Sequence, residues 1–583
     1  MRDGAGHEDH ILGRGGSAIS AIDDVTVSRD DPGKEGGHPD ERARSTTPWW
    51  RLSLPGSAGA VVMVCLSFTP SLLPRSGLTQ GVVCGISAAI GYGLGVVAAW
   101  AWRAIRDRGP RPPDRRSWRI FAVVAGVALI GALLLGRYWQ GRLRDLMGMP
   151  PDGLASLLVI PLTAVVVFAM LLAISRGLRW LYRWLAARLG RWIGPRAARA
   201  LGWTAVVAGT ALVVSGVLLD GFVSLADEAF SLRNGGTDDG VTRPSGPERS
   251  GSPESLIPWE SLGREGRNFA GRGPTTEQIS GFTGTPAPVP IRVYAGLESA
   301  GTAEERAELA VEDLVRAGGF ERGTLVVITT TGSGWVDPSG IDSFEYITGG
   351  DSAAVSMQYS YLPSWISYLV DQERAREAGR ALFDAVYGRW SDLPLESRPR
   401  LVVVGESLGS FGGETAFSGE HDLRNRTDGV VFAGPPNFNE LYRAFVDGRD
   451  AGSTEVSPVY RAGRTVRFSA DPATDVPPAG SPWTDPKVLY VQHPSDPIVW
   501  WSPRLILNRP DWLTEPAGSG VLEAMVWIPF VTFWQVTADL PFAVGVPAGH
   551  GHVYTREYVD AWAVVLRPQE WTEEKAARLR ELV

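Results

Sequence analysis

Hydrophobic positions fall into two regimes along this 583-residue chain. From about residue 52 to 222 apolar residues run almost unbroken, interrupted only by short charged clusters. From 223 onward, short apolar runs alternate with mixed polar segments. The first regime holds five apolar windows, at 55–73, 79–102, 118–136, 154–174 and 201–222. Each approaches the ~20 residues that cross a hydrocarbon core of ~30 Å. None carries the charged face of a soluble helix of that length. They predict an N-terminal all-α transmembrane bundle of five helices within residues 49–224. Residues 1–48 are rich in Gly, Asp, Arg, Ser and Pro without periodicity, and predict a disordered cytoplasmic tail.

The second regime predicts a different architecture. Residues 225–289, rich in Gly, Pro, Ser and Thr, read as an extended linker; within it WESLGREGRNF at 259–269 is a patch without an evident role. Strands are predicted at 290–295, 324–330, 353–359, 400–404, 429–433 and 487–492. Helices are predicted at 303–317, 371–390, from 409, and near 555–566. Buried apolar strands alternating with helices indicate an α/β domain over 290–583, a mostly parallel central sheet covered on both faces.

Arginines set the expected topology. Seven lie in the loop after the second window, from Arg103 to Arg119, and seven in the loop after the fourth, from Arg176 to Arg199. The intervening loops are poorer, with Arg75 in one and Arg137, Arg142 and Arg144 in the other. The positive-inside rule then places the N-terminus in the cytoplasm and the α/β domain outside a multi-pass cell-membrane protein. The first window is the weak point, because Pro70 and Pro74 could make it re-entrant and reverse that assignment. Trp180, Trp184 and Trp192 punctuate the basic stretch, as in an amphipathic helix at headgroup level.

Charge and cysteine usage narrow the chemistry. The net charge is -8, which gives no footprint for nucleic acid. Nearly all cations are Arg, with Lys34, Lys487 and Lys575 the only lysines. Cys65 and Cys84 both lie in apolar windows, so the α/β region holds no cysteine nucleophile, disulfide or cysteine metal site.

The chemistry concentrates in LVVVGESLGSFGG at 401–413. It contains Gly405-Glu406-Ser407-Leu408-Gly409, a G-x-S-x-G between a buried strand and a helix rich in small residues. In that context the turn exposes a serine hydroxyl at a helix N-terminus, and Gly405 and Gly409 let neighbouring backbone pass. A hydroxyl nucleophile needs a base. Of the seven histidines, three lie in the tail, leaving His421, His493, His550 and His552. VPAGHGHVY at 546–554 precedes the last predicted helix, where a base is expected. His550 is preferred because its glycine neighbours leave the imidazole uncrowded, with His552 as the second candidate. Asp496, in the Asp-Pro turn after the strand at 487–492, is the expected acid. His493 reads as packing near that turn. The His-x-His pair lacks acidic or cysteine partners at ligand spacing, so no metal is expected, and no pattern calls for a cofactor. The oxyanion hole is expected from the Leu408 N–H and from the TTTGSGWVDP loop at 329–338, around Gly332 and Ser333. Trp500, Trp501, Trp512, Trp527, Phe530, Phe533 and Trp534 form either a buried contact or an apolar acyl-binding cleft.

With these motifs in place, the chain resembles the actinobacterial alpha/beta-hydrolase membrane proteins, which join an N-terminal membrane domain to a hydrolase domain. Trp259-Glu260-Ser261-Leu262-Gly263, Thr330-Thr331-Gly332-Ser333-Gly334, the elbow pentapeptide and Gly549-His550-Gly551-His552 carry the resemblance, over about residues 55–575. It implies the alpha/beta-hydrolase fold and an ester substrate among membrane lipids, with aminoacylated phospholipids one class. The expectation is therefore a serine hydrolase, lipase- or esterase-like. The alternative is a non-enzymatic membrane scaffold or transport component with a degenerate hydrolase domain. Few polar residues in the windows disfavour a transport path.

Overall fold

The computed structural model describes residues 51–583 apart from 108, 110, 111, 371 and 477–481; the predicted tail at 1–48 lies outside the described residues. Among the described residues, four helices are long and apolar enough to cross a membrane: Gly77–Ile105, Arg115–Leu146, Ser156–Leu189 and the continuous run Pro195–Asn234. The outward faces of the second and third expose Val123, Val127, Ile130, Leu134, Leu158, Leu162, Val165 and Met170, each by more than half. Apolar exposure on that scale is suited to lipid rather than water.

The first predicted span is corrected. The window at 55–73 yields a helix of only 13 residues, Leu54–Leu66. The next ten residues leave the helix, where Pro70 cannot donate to a helical ladder and Ser67 and Thr69 turn their hydroxyls onto Val64 O and Leu66 O. The short helix packs against Gly77–Ile105, close enough that a Cβ at Gly59 would sit 2.2 Å from Gly91 O. The basic stretch from Arg176 to Arg188 is a direct continuation of Ser156–Leu189 rather than a separate surface helix.

The linker is corrected too. Residues 225–289 are not an extended tether. They complete the helix ending at Asn234 and fold into helices Gly263–Gly271 and Thr276–Thr283 against the sheet, burying Ile257, Leu262, Phe269, Ile279 and Phe282. Arg267 gives the patch at 259–269 its role. Its Nη1 donates to Gly235 O and Gly236 O at 2.8 Å each, and its Nη2 to Glu260 O at 3.1 Å. One guanidinium thus ties the end of the last long helix to the α/β domain.

The α/β domain has a seven-stranded, wholly parallel sheet: β1 (Ile291–Ala295), β2 (Thr324–Thr329), β3 (Ser352–Met357), β4 (Arg400–Glu406), β5 (Gly429–Ala433), β6 (Val466–Ser469) and β7 (Lys487–Val491). Their spatial order is β1-β3-β2-β4-β5-β7-β6. All strands but β6 coincide with predicted runs. β6 escapes the hydrophobic pattern because it has four residues, lies at the sheet edge and carries Arg467 in its middle. Parallel strands put all their carboxyl ends on one edge, the usual place for a site in an open α/β sheet.

The two regions share one core. Leu72 and Leu73 of the turn after Leu54–Leu66, with Leu143 and Met147 at the end of Arg115–Leu146, are buried in the same cluster as the sheet residues. The turns at 67–76 and 147–155 therefore face the α/β domain. The ends of the long helices that carry Arg103, Arg106, Arg115 and Arg116, and Arg183, Arg188, Arg196 and Arg199, lie away from the α/β domain.

Candidate active site

β4 ends at Glu406, and Ser407 makes the turn into helix Leu408–Glu414 with φ 55° and ψ -126°. A non-glycine residue holds such a conformation only when its surroundings enforce it. Ser407 N donates to Ala433 O at the end of β5 at 2.9 Å, and Ser407 O accepts from Ser410 N at 2.9 Å. The flanking glycines are sterically required: a Cβ at Gly405 would lie 2.3 Å from Gly409 O, and one at Gly409 2.2 Å from Thr329 O. Leu408 N is the first helical N–H, which has no partner within its own helix.

Asp496 follows β7 and is fully buried. Its Oδ1 accepts from Ile498 N at 2.8 Å, capping the short helix Pro497–Trp500. Its Oδ2 lies 2.6 Å from His552 Nδ1 and accepts the Tyr554 hydroxyl at 2.7 Å. The preference for His550 is thereby corrected: the carboxylate meets His552. The imidazole of His550 instead lies against Gly520, and among the described residues its buried Nδ1 has no hydrogen-bond partner. Gly551, at φ 53°, turns the chain between the two histidines so that their rings diverge.

His552 lies against the elbow. Gly434, one residue beyond the Ala433 carbonyl that holds Ser407 N, packs on the ring; a Cβ there would be 2.3 Å from Cε1. Among the described residues the buried Nε2 of His552 has no hydrogen-bond partner, so no hydrogen bond joins it to Ser407 Oγ in this structure. Burial works against the charged imidazole, but the charge of Asp496 and its hydrogen bond, with Glu406 beyond, outweigh it and raise the His552 pKa. His550 moves the other way: burial, reinforced by His493, lowers its pKa. His493 packs, as expected from its position, with Nδ1 2.9 Å from Gly551 O and its ring stacked on Tyr554.

The proposed oxyanion loop lies against the elbow through the contact between Gly409 and the end of β2. The assignment of Gly332 meets a competitor, because its N–H already donates to Ser364 Oγ at 3.3 Å. Ser333 turns its carbonyl onto Gln358 Nε2 at 2.9 Å. Trp500 and Trp512 pack against each other in the core, 1% and 4% exposed, which favours the buried-contact reading for that pair. Ser407 and His552 are themselves 3% and 6% exposed, so the pair lies recessed below the surface.

Three groups near the site escaped the sequence. Tyr554, two residues beyond His552, donates a hydrogen bond from its hydroxyl to Asp496. Glu406, the variable residue of the elbow, is buried and accepts the Tyr558 hydroxyl at 2.8 Å. Burial, aided by the charge of Asp337, pushes its carboxyl up to about 8. Asp337 caps helix Pro338–Ile347, and burial pushes it up to about 6. Both carboxyls line a cavity of about 20 Å³, room for a water and not for a substrate. No sequence signal marks these groups, since carboxylates in a turn ordinarily meet solvent.

The raised Glu406 pKa has a consequence for stability. The folded state keeps a proton that the unfolded chain, with a carboxyl near 4.5, has released. Stability from this group is fully present below about 4.5 and is lost as pH rises through about 8. Glu406→Gln keeps an acceptor for Tyr558 and removes the titration. The Tm of the variant should therefore fall less than that of the wild type between pH 5 and 8.5; parallel curves would contradict the buried, protonated carboxyl.

Residues 291–579 match the model of an alpha/beta-hydrolase family, and residues 68–274 match the N-terminal region of the same family. No curated protein and no solved structure matches the chain. The two matched stretches take in both the long apolar helices and the sheet with its elbow, and the chain belongs to this alpha/beta-hydrolase family.

Proposed function

We propose that this protein is a membrane-anchored serine hydrolase that cleaves esters presented by the bilayer, either lipids or acyl- or aminoacyl-modified lipids. Family membership supports a hydrolase-like function. The observation that carries the finer reading is the 2.6 Å contact between Asp496 and His552 beside a strained serine at the strand-to-helix turn. In this reading Ser407 Oγ attacks the ester carbonyl and His552 Nε2 takes its proton. Asp496 holds the Nδ1–H tautomer and stabilises the imidazolium. The Leu408 N–H receives the developing oxyanion. The alcohol leaves with the proton from His552, and a water activated by the same imidazole releases the acyl group from Ser407.

Two observations favour a lipid substrate. The catalytic domain shares its core with the long apolar helices, which would hold the elbow beside the bilayer. Next to the helix that docks on them, Phe542 and Val544 are 46% and 68% exposed and offer an apolar surface toward lipid. Confinement raises the effective concentration of a bilayer ester but not of a soluble one. With the first helix too short to span, the orientation rests on the four long helices alone. Their arginine-bearing ends lie away from the catalytic domain, and the positive-inside rule then favours catalysis outside the cytoplasm, with the short first helix no longer setting the side. In liposomes, full-length protein should show a higher kcat/KM for an acyl ester carried by a lipid than for a short soluble ester of the same acid. Equal or reversed preference would overturn the lipid assignment.

A further inference from the structure

The turn between the first two N-terminal helices, Ser67–Ser76, reaches into the catalytic domain and meets helix Val531–Asp539. The contact is polar and closed to water. Asp539 is fully buried and Arg75 is 3% exposed. Arg75 Nε donates to Asp539 Oδ1 at 2.8 Å, and Arg75 Nη2 reaches Oδ2 at 3.5 Å. Ser71 Oγ and Leu73 N donate to the same Oδ2 at 2.5 and 3.4 Å. One turn earlier, Gln535 Nε2 donates to Thr69 O at 2.9 Å and to Ser67 O at 3.2 Å. The other side of Arg75 is fixed as well: its Nη1 donates to Gln80 Oε1 at 3.2 Å and its backbone N to Gln140 Oε1 at 2.8 Å.

From Asp539 the chain runs through the turn Leu540–Phe542 to Ala543, whose carbonyl accepts from His552 N at 2.8 Å. The same turn packs on Gly551, where a Cβ would lie 2.6 Å from Ala543 O and 3.4 Å from Leu73 Cδ2. The histidine loop is thus held on one side by Asp496 and Ser495, and on the other by a ledge that rests on the N-terminal turn.

We infer that Arg75 and Asp539 are positioning residues for His552: their buried ion pair fixes the ledge that supports the histidine loop, so the N-terminal helical domain is a working part of the catalytic centre as well as an anchor. The inference rests on the proposed role of His552. A buried carboxylate held by four donors enforces a single geometry, because any displacement strands a charge away from water. Imidazole placement matters in turn, since a shift of ~1 Å can cost ~10²-fold in rate.

Asp539→Asn in the full-length protein keeps the side-chain shape and removes the charge. It should lower kcat by ~10-fold or more with KM within about twofold. The acid limb of the kcat–pH profile should move down toward that of an ordinary imidazole, because a loosened loop separates His552 from Asp496. Amide hydrogen exchange of residues 547–556 should rise. A folded variant with unchanged kcat, limb and exchange would overturn the inference, as would a lowered Tm with no change in limb or exchange. Should Asp539→Asn fail to fold, Leu73→Ala trims the contact on Gly551 and leaves the ion pair; it should raise exchange over 547–556 and shift the limb the same way, and no change would overturn the inference. The exchange readout does not require His552 to be the base, so it separates this inference from the proposed function. Raised exchange with a limb that does not depend on His552 would sink the role of the histidine while leaving the ledge in place.

Discussion

Replacing His552 by alanine is expected to lower kcat/KM by ~10⁴-fold or more, whereas His550→Ala should cost less than about tenfold. The two imidazoles are two positions apart, so composition, loop context and distance from the last helix cannot separate their effects. Only the contact with Asp496 does. A general base must be neutral, and the pKa of His552 is raised because the Asp496 carboxylate outweighs burial. The acid limb of kcat/KM should therefore lie above the ~6.5 of an unperturbed imidazole, and Asp496→Asn should bring it down while reducing the rate. If His550 were the base, burial would place the limb below that value instead. The limb's position and the two alanine variants thus test one assignment by independent routes. Equal losses at both positions, or a limb below ~6.5, would contradict it.

The second large effect is expected at the elbow. Ser407→Ala should abolish turnover, by at least ~10⁴-fold, without unfolding the protein. Alanine retains a Cβ and hence the strain of φ 55°, while the backbone bonds that enforce the turn, Ser407 N to Ala433 O and Ser410 N to Ser407 O, are untouched. The Ser410 hydroxyl also donates to the residue-407 carbonyl at 2.7 Å, independent of the side chain replaced. The Tm should stay within a few degrees of the wild type, because the bonds that hold the turn are all made by backbone atoms of residue 407. A marked fall in Tm would mean that the serine is structural and would weaken the enzymatic reading.

Much of the α/β domain was legible because its signals are local. Six of the seven strands fall on predominantly apolar runs, even though β1 carries Arg292 and β3 carries Ser356 in their interiors, and a parallel sheet buried on both faces favours such runs. The elbow was legible because a sharp strand-to-helix turn demands glycine at fixed offsets on either side of the serine, and the buried strand before it supplies the context. The turn after a strand pointed to Asp496, the carboxylate that meets His552. What failed was long-range. Which histidine meets that aspartate depends on the rotation imposed by Gly551, and spacing carries no trace of it. The segment at 225–289 looked like a tether because Gly, Pro, Ser and Thr dominate it. Its order comes from a few buried apolar side chains and from Arg267 gathering carbonyls about 30 residues away, which composition does not register. The first span failed through its final third: the window average hides Ser67, Thr69 and Pro70, which end the helix and send Leu72 and Leu73 into the catalytic core. Glu406 went unnoticed because it is written into the motif as a variable position, yet it lies buried between the elbow and Tyr558.

The central claim is that Ser407 is an activated nucleophile. Purified full-length protein treated with a fluorophosphonate, digested and analysed by peptide mass should carry one adduct, on the peptide containing Ser407, formed more slowly in Asp496→Asn and absent in His552→Ala on the same time scale. An adduct on another residue, or no adduct on folded wild-type protein, would contradict the account.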